Sequence, residues 1–135
     1  MIHTVHEERL LLSVAVIEDD VLTLELVTET LEQRLSATVY PFSRSKLARD
    51  FLLQQTPESL HLIISDQVMP HFDGLSLLQT CRAANLHIPF LLITADPSKA
   101  LVMEARKLGA SGFLAKPIDM AELTEKVLAT AARHP

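Results

Sequence analysis

The chain has 135 residues, enough for one compact domain that buries most of its apolar surface without disulfides or a structural metal. Hydrophobic residues make up 48%, which argues against intrinsic disorder. A net charge of −5 with no basic cluster argues against a nucleic-acid footprint in this chain and favours proteins as partners.

Residues 1–11 read as a leader, expected to be flexible, and 12–133 as one domain. The apolar run Leu10 to Ile17 is too short to span a bilayer and is closed by Glu18-Asp19-Asp20, so no membrane segment is expected. Glu7 and Glu8 stand where a secretion signal would be basic. The single cysteine, Cys81, can form no internal disulfide and is placed as a buried thiol, which makes a reducing cytoplasm the default compartment.

From Leu12 onward, short apolar runs alternate with longer segments of helical period, the pattern of a parallel sheet covered by helices on both faces. Leu12 to Ile17 is the first strand, and Leu24, Val27, Leu31 and Leu35 share one face of the first helix. Ala37 to Phe42 is a weaker strand. Leu47, Phe51 and Leu52 supply the apolar face of a second helix, with Pro57 as its stop. Leu60 to Ser65 is the third strand, and Pro70 with Asp73-Gly74 marks an irregular loop before Leu75, Leu78 and Cys81 resume helical spacing.

Ile88 to Ile93 is the fourth strand. Asp96-Pro97 reads as the start of the fourth helix, with Asp96 as the cap and Pro97 pre-set for the first turn, and Gly109 ends it. Ser111 to Ala115 is the fifth strand. Asp119 and Glu122 form a capping pattern for a last helix whose buried stripe is Leu123, Val127 and Ala131.

Four strands end in polar groups: Glu18-Asp19-Asp20, Asp66, Thr94 and Lys116. In a parallel sheet these ends share one edge, and doubly wound sheets bind ligands there. With flavodoxin-like strand order 2-1-3-4-5, strands one and three are neighbours, so the acidic cluster meets Asp66. Carboxylates brought together raise one another's pKa unless a cation compensates. Oxygen-only donors point to Mg²⁺, which typically takes one or two carboxylates and a phosphoryl oxygen. A hydroxyl at Thr94 and a mobile positive charge at Lys116 suit a phosphoryl group carried by Asp66, so the residues themselves point to an acyl phosphate there.

Val16-Ile17-Glu18-Asp19-Asp20, Asp66-Gln67-Val68-Met69-Pro70 with Asp73-Gly74, Thr94-Ala95, and Gly109-Ala110-Ser111-Gly112-Phe113 leading to Lys116-Pro117 occur in order over about Leu12 to Arg133. Together they resemble the receiver domain of bacterial two-component response regulators. The resemblance implies a (βα)5 fold in which Asp66 accepts phosphate from a sensor histidine kinase or phosphotransfer protein. It implies that Glu18, Asp19, Asp66 and the Val68 backbone carbonyl hold Mg²⁺, and that Thr94 and Lys116 contact the phosphoryl group. Phe113 matches an aromatic switch position that reshapes the face of helix four, strand five and helix five, where a downstream protein, an output domain or a second copy would bind. Lys116-Pro117 matches a bond usually cis in the family. Such a domain is a signalling receiver rather than an enzyme, although it takes part in its own phosphorylation and dephosphorylation.

Some positions depart from the pattern. The second helix lacks the common Asp-Gly opening and has Ser43-Arg44-Ser45 instead. Alignment from the strand favours Glu18 and Asp19 as the metal pair and leaves Asp20 to cap the first helix. Val68 and Asp96 occupy variable positions that tune phosphoryl lifetime in the family. The six histidines show no metal spacing, though His71 follows Asp66 closely enough to touch an incoming kinase.

Two other classes compete. One is an interaction module that works without phosphorylation; such proteins usually lose a site residue, and none is lost here. The other is a Mg²⁺-dependent hydrolase with an aspartyl-phosphate intermediate, which would carry a second Asp where this chain has Val68. A dinucleotide site lacks its Gly-rich turn. No output domain is visible after the last helix, and both a single-domain regulator and a piece of a longer protein stay open.

Overall fold

The computed structural model describes residues 11–132. The leader assigned to 1–11 lies outside them except for Leu11, as do His3, His6, Arg133 and His134. Each apolar run becomes a strand and each helical period a helix: β1 Ser13–Ile17, α1 Val21–Leu35, β2 Thr38–Phe42, α2 Ser45–Leu52, β3 Leu62–Asp66, α3 Gly74–Ala83, β4 Phe90–Thr94, α4 Lys99–Lys107, β5 Gly112–Ala115 and α5 Met120–Ala132. All neighbouring strands pair in parallel, in the order β2-β1-β3-β4-β5 expected from the sequence.

Alternation along the central strands sorts their side chains onto two faces. Val14, Val16, Leu62, Ile64, Leu91 and Ile93 pack under α1 and α5 with Leu24, Val27, Leu31, Leu123 and Val127. Ala15, Ile17, Ile63, Phe90 and Leu92 pack under α2, α3 and α4 with Leu52, Leu77, Leu78, Cys81 and Ala105. Each large apolar side chain fully removed from water contributes about 1.5–3 kcal/mol, so the two layers fix the sheet and with it the relative heights of the strand ends.

Local chemistry sets several boundaries. Asp20 caps α1 by accepting the Thr23 N–H at 3.3 Å. Asp119 caps α5 through the Ala121 and Glu122 N–H groups at 2.8 and 3.2 Å. Gly109 follows α4 with φ +92°, a conformation that suits glycine. The Lys116–Pro117 peptide is cis.

Four expectations need correction. The fourth helix does not start at Asp96-Pro97: the Asp96 N–H is held by Thr94 Oγ1 and the Asp96 carbonyl turns back to the Ser98 N–H, so Ser98 is the cap, accepting from the Leu101 N–H at 3.2 Å. Leu47 is not on the buried face of α2 but 53% exposed; the helix buries Ser45, Ala48 and Leu52 instead. Pro57 does not stop that helix, which ends at Leu52 in a turn closed by Gln54 and Gln55. In α5, Thr130 rather than Ala131 completes the buried stripe.

Candidate functional site

The register of the central strands brings the acidic groups together. Ile17 of β1 lies beside Ser65 of β3, so the next residues, Glu18 and Asp66, stand side by side at the carboxyl edge. On the other flank Asp66 pairs with Ile93, and Thr94 pairs with Ala115, which puts Lys116 one step beyond. One carboxylate oxygen from each of Glu18, Asp19 and Asp66 lies within 4.8 Å of the other two.

Two of these three groups are out of the solvent: Glu18 is 1% and Asp66 4% exposed, while Asp19 opens to water. Lys116 Nζ donates to Asp66 Oδ2 at 3.0 Å and lies 2.9 Å from Glu18 Oε1. Glu18 Oε2 accepts the Asp20 N–H at 3.0 Å. Glu18 Oε1 is buried and, for all its nearness to Lys116, receives no hydrogen bond of good angle.

The electrostatics follow from this crowding. Burial pushes the Glu18 carboxyl up from 4.5 to about 7; the Asp20 N–H and Lys116 oppose the shift, and Asp66 adds to it. Burial alone would lower the Lys116 pKa, but Glu18 and Asp66 outweigh it and hold the ammonium above its ordinary value. One cation among three carboxylates leaves the cluster short of positive charge.

A divalent cation fits that shortfall. The donors are oxygens only, a buried Glu18 oxygen lacks a well-aligned partner, and Asp19 leaves the site open on one side. Val68 is 76% exposed, and its carbonyl accepts no hydrogen bond from the described residues. The structure therefore juxtaposes the acidic residues singled out from the sequence with Lys116, and leaves the Val68 carbonyl unengaged in the loop that follows Asp66.

Thr94 stands at the same edge and Phe113 two positions further back in the sheet, and neither touches the carboxylates through a hydrogen bond. Thr94 is buried and its Oγ1 accepts the Asp96 N–H at 3.1 Å. Phe113 is half-buried, lies opposite Leu92 in the sheet and packs on the same face as Leu92, the α4 side. Its carbonyl accepts from Lys126 Nζ of α5 at 2.5 Å, tying β5 to that helix.

The end of β3 is braced by α3. The Gln67 carbonyl accepts the Gly74 N–H at 3.0 Å and the Gln67 side chain accepts the Leu75 N–H at 2.9 Å. A Cβ on Gly74 would lie 2.4 Å from Leu92 Cδ1 and 2.7 Å from the Asp66 carbonyl oxygen. Leu92 can swing away, but the backbone of Asp66 cannot. Gly74→Ala is expected to lower stability in urea denaturation by about 1–3 kcal/mol, more than Ala introduced at an exposed site of the same helix.

A family profile described as the response regulator receiver domain matches residues 14–128. The chain belongs to the response regulator receiver family. This receiver is 34% identical over 123 residues to the transcriptional regulatory protein RprY of Bacteroides fragilis, covering 90% of the chain and 50% of that protein. It is also 34% identical over 122 residues to the transcriptional regulatory protein FixJ of Azorhizobium caulinodans, covering 90% and 56%. The chain thus spans about half the length of these relatives. Among solved structures, the receiver domain of Francisella response regulator 1452 superimposes with a TM-score of 0.83 at 25% identity, covering 91% of this chain and 98% of that one. A response regulator receiver domain protein from Clostridium thermocellum gives 0.82 at 22% identity, covering 90% and 95%, a likeness of fold. Receivers of this family are signalling domains that interact with histidine kinases or phosphotransfer proteins. No helix among the described residues is long and apolar enough to cross a membrane.

Two further groups hold the site. Gln67 braces α3 with both its carbonyl and its side chain, and Ser45 bonds the loop after Asp66 from 25 residues away. The unusual Ser43-Arg44-Ser45 opening of the second helix was the one signal that pointed toward Ser45.

Proposed function

We propose that the chain is a phosphoacceptor receiver in which Asp66 takes a phosphoryl group from a histidine kinase or phosphotransfer protein in a Mg²⁺-dependent step. The observation that carries this reading is the Glu18–Asp19–Asp66 cluster with Lys116 Nζ 3.0 Å from Asp66 Oδ2. When bound, Mg²⁺ supplies charge neutralisation for the transferring phosphoryl oxygens.

Glu18, Asp19, Asp66 and the Val68 carbonyl are the residues that would hold it. Asp66 then forms one bond, from its carboxylate oxygen to phosphorus, as the bond from phosphorus to the donor imidazole breaks and that imidazole takes up a proton. Lys116, already paired with Asp66, turns to a phosphoryl oxygen once the carboxylate carries the acyl phosphate, and the Thr94 hydroxyl bonds another. Thr94 accepts the Asp96 N–H and keeps its own proton to donate there, and its movement toward that oxygen would open space on the sheet face it shares with Phe113, whose ring would turn inward. The resulting change on the face of α4, β5 and α5 is what a downstream protein, an output domain or a second copy would read. With this role the domain acts in the cytoplasm, the reducing compartment that the lone Cys81 also favours.

A hydrolase cycle gains no support, because the position two residues after Asp66 carries Val68, which has no proton to donate. The test is incubation with acetyl phosphate with and without Mg²⁺, read by intact mass and by hydroxylamine sensitivity. One hydroxylamine-labile phosphoryl adduct that forms only with Mg²⁺ is expected. A metal-independent or hydroxylamine-resistant adduct, or multiple turnover of small phosphate esters, would overturn the reading.

A further inference from the structure

The loop between Asp66 and α3 contains a strained turn. The Phe72 N–H bonds the Pro70 carbonyl at 3.0 Å across His71, whose φ is +72°. This is a γ-turn with its central residue in the left-handed region, a geometry that costs about 1–3 kcal/mol for a residue with a Cβ and persists only where its surroundings hold it.

Ser45, at the first turn of α2, supplies that hold. Its hydroxyl donates to the Pro70 carbonyl at 2.6 Å and accepts from the Phe72 N–H at 3.1 Å, so one side chain grips both ends of the turn. The residue is 3% exposed, and so competes little with water for those bonds. A second link runs from the same helix: the Arg49 guanidinium sits 5.0 Å over the Phe72 ring.

The loop is therefore pinned at two places. Gln67 is fixed by its N–H to the Ile93 carbonyl and its carbonyl to the Gly74 N–H, and Pro70 and Phe72 are fixed by Ser45. Between the pins lie only Val68 and Met69, with Met69 buried in the core. With both flanks and the next side chain anchored, the peptide that carries the Val68 carbonyl has little freedom to rotate.

We propose that Ser45 is a positioning residue for cation binding, clamping the Pro70–Phe72 turn so that the Val68 carbonyl keeps one orientation before a cation arrives. This rests on the functional reading above. Removing the hydroxyl lets the turn relax out of its left-handed conformation and sets the carbonyl free, with no change to any carboxylate.

Magnesium affinity of wild type, Ser45→Ala, Ser45→Thr and His71→Gly, alone and combined with Ser45→Ala, is measured by calorimetry. Site-resolved amide exchange of Phe72 is measured in metal-free protein. Ser45→Ala is expected to weaken Mg²⁺ binding about tenfold and to speed Phe72 exchange before any metal is added, with Ser45→Thr restoring both. In the His71→Gly background, where the turn carries no strain, the cost of Ser45→Ala should shrink. Ser45→Cys, which keeps the shape and weakens both bonds, replaces the alanine variant if that does not fold, with the same direction expected. Wild-type binding accompanied by unchanged affinity and unchanged exchange in the variant, or a lowered melting temperature alone, overturns the role of Ser45. Failure of the wild type to bind Mg²⁺ overturns the functional reading itself.

Discussion

Asp66→Asn is expected to take up no phosphoryl group from acetyl phosphate and, at pH 8 without Mg²⁺, to melt higher than the wild type. The amide keeps the shape of the carboxylate and can still accept from Lys116 Nζ, so the fold has no reason to fail. What it loses is a buried charge with one oxygen within 4.8 Å of carboxylate oxygens of Glu18 and Asp19. Against two repulsions and the cost of burial stands one attraction, to a single lysine. The gain should be on the order of 1–2 kcal/mol, read by thermal denaturation. Lower stability in the variant would show Asp66 to be chiefly a structural partner of Lys116. Higher stability with lost phosphorylation is the mark of a group kept for chemistry at the expense of the fold.

Magnesium is expected to stabilise the protein far more at pH 8 than at pH 5.5, and Glu18 is the reason. Its carboxyl sits at about 7 in the folded protein against 4.5 as the ordinary value, chiefly because it is buried. A group with a raised folded pKa favours folding while it is protonated. That contribution is complete below about 4.5 and is lost as the pH rises through about 7. Metal-free stability should therefore fall across this window, by up to about 3 kcal/mol. A cation ligand must shed its proton, so Mg²⁺ affinity should climb over the same range. At pH 8 and a hundredfold excess over the dissociation constant, the melting temperature should rise by about 10 °C. In Glu18→Gln both the pH-dependent decline and most of the Mg²⁺ response should disappear. Equal Mg²⁺ shifts at pH 5.5 and pH 8 would contradict the assignment of Glu18 as the titrating ligand.

The parallel sheet with helices on both faces and the polar groups along its carboxyl edge were legible because they rest on patterns carried by the chain itself: apolar runs of strand length, helical spacing between them, and polar residues at the run ends; the strand order came with the flavodoxin-like arrangement of the family the motifs resemble. The two-layer core followed from the same alternation, down to Leu24, Val27 and Leu31 on α1. Errors came where the deciding partner is distant in sequence or small. Ser45 and Ala48 complete the buried face of α2 with Leu52, but small residues carry little weight in an apolar count, which favours the larger Leu47 although it faces water. Asp96-Pro97 has the chemistry of a helix cap, yet Thr94 Oγ1 claims the Asp96 N–H and turns the chain first, and α4 begins only after Ser98. The raised Glu18 pKa and the grip of Ser45 on the Pro70–Phe72 turn depend on tertiary burial, which no local pattern encodes.

The most direct test of Asp66 as the acceptor is to locate the phosphoryl group. Protein phosphorylated by acetyl phosphate in Mg²⁺ is reduced with borodeuteride, which converts an aspartyl phosphate to labelled homoserine, and the label is mapped by peptide mass spectrometry. Label at residue 66 alone is the expected result. Label at Asp19, at any other carboxylate, or undiminished labelling in Asp66→Asn would contradict it.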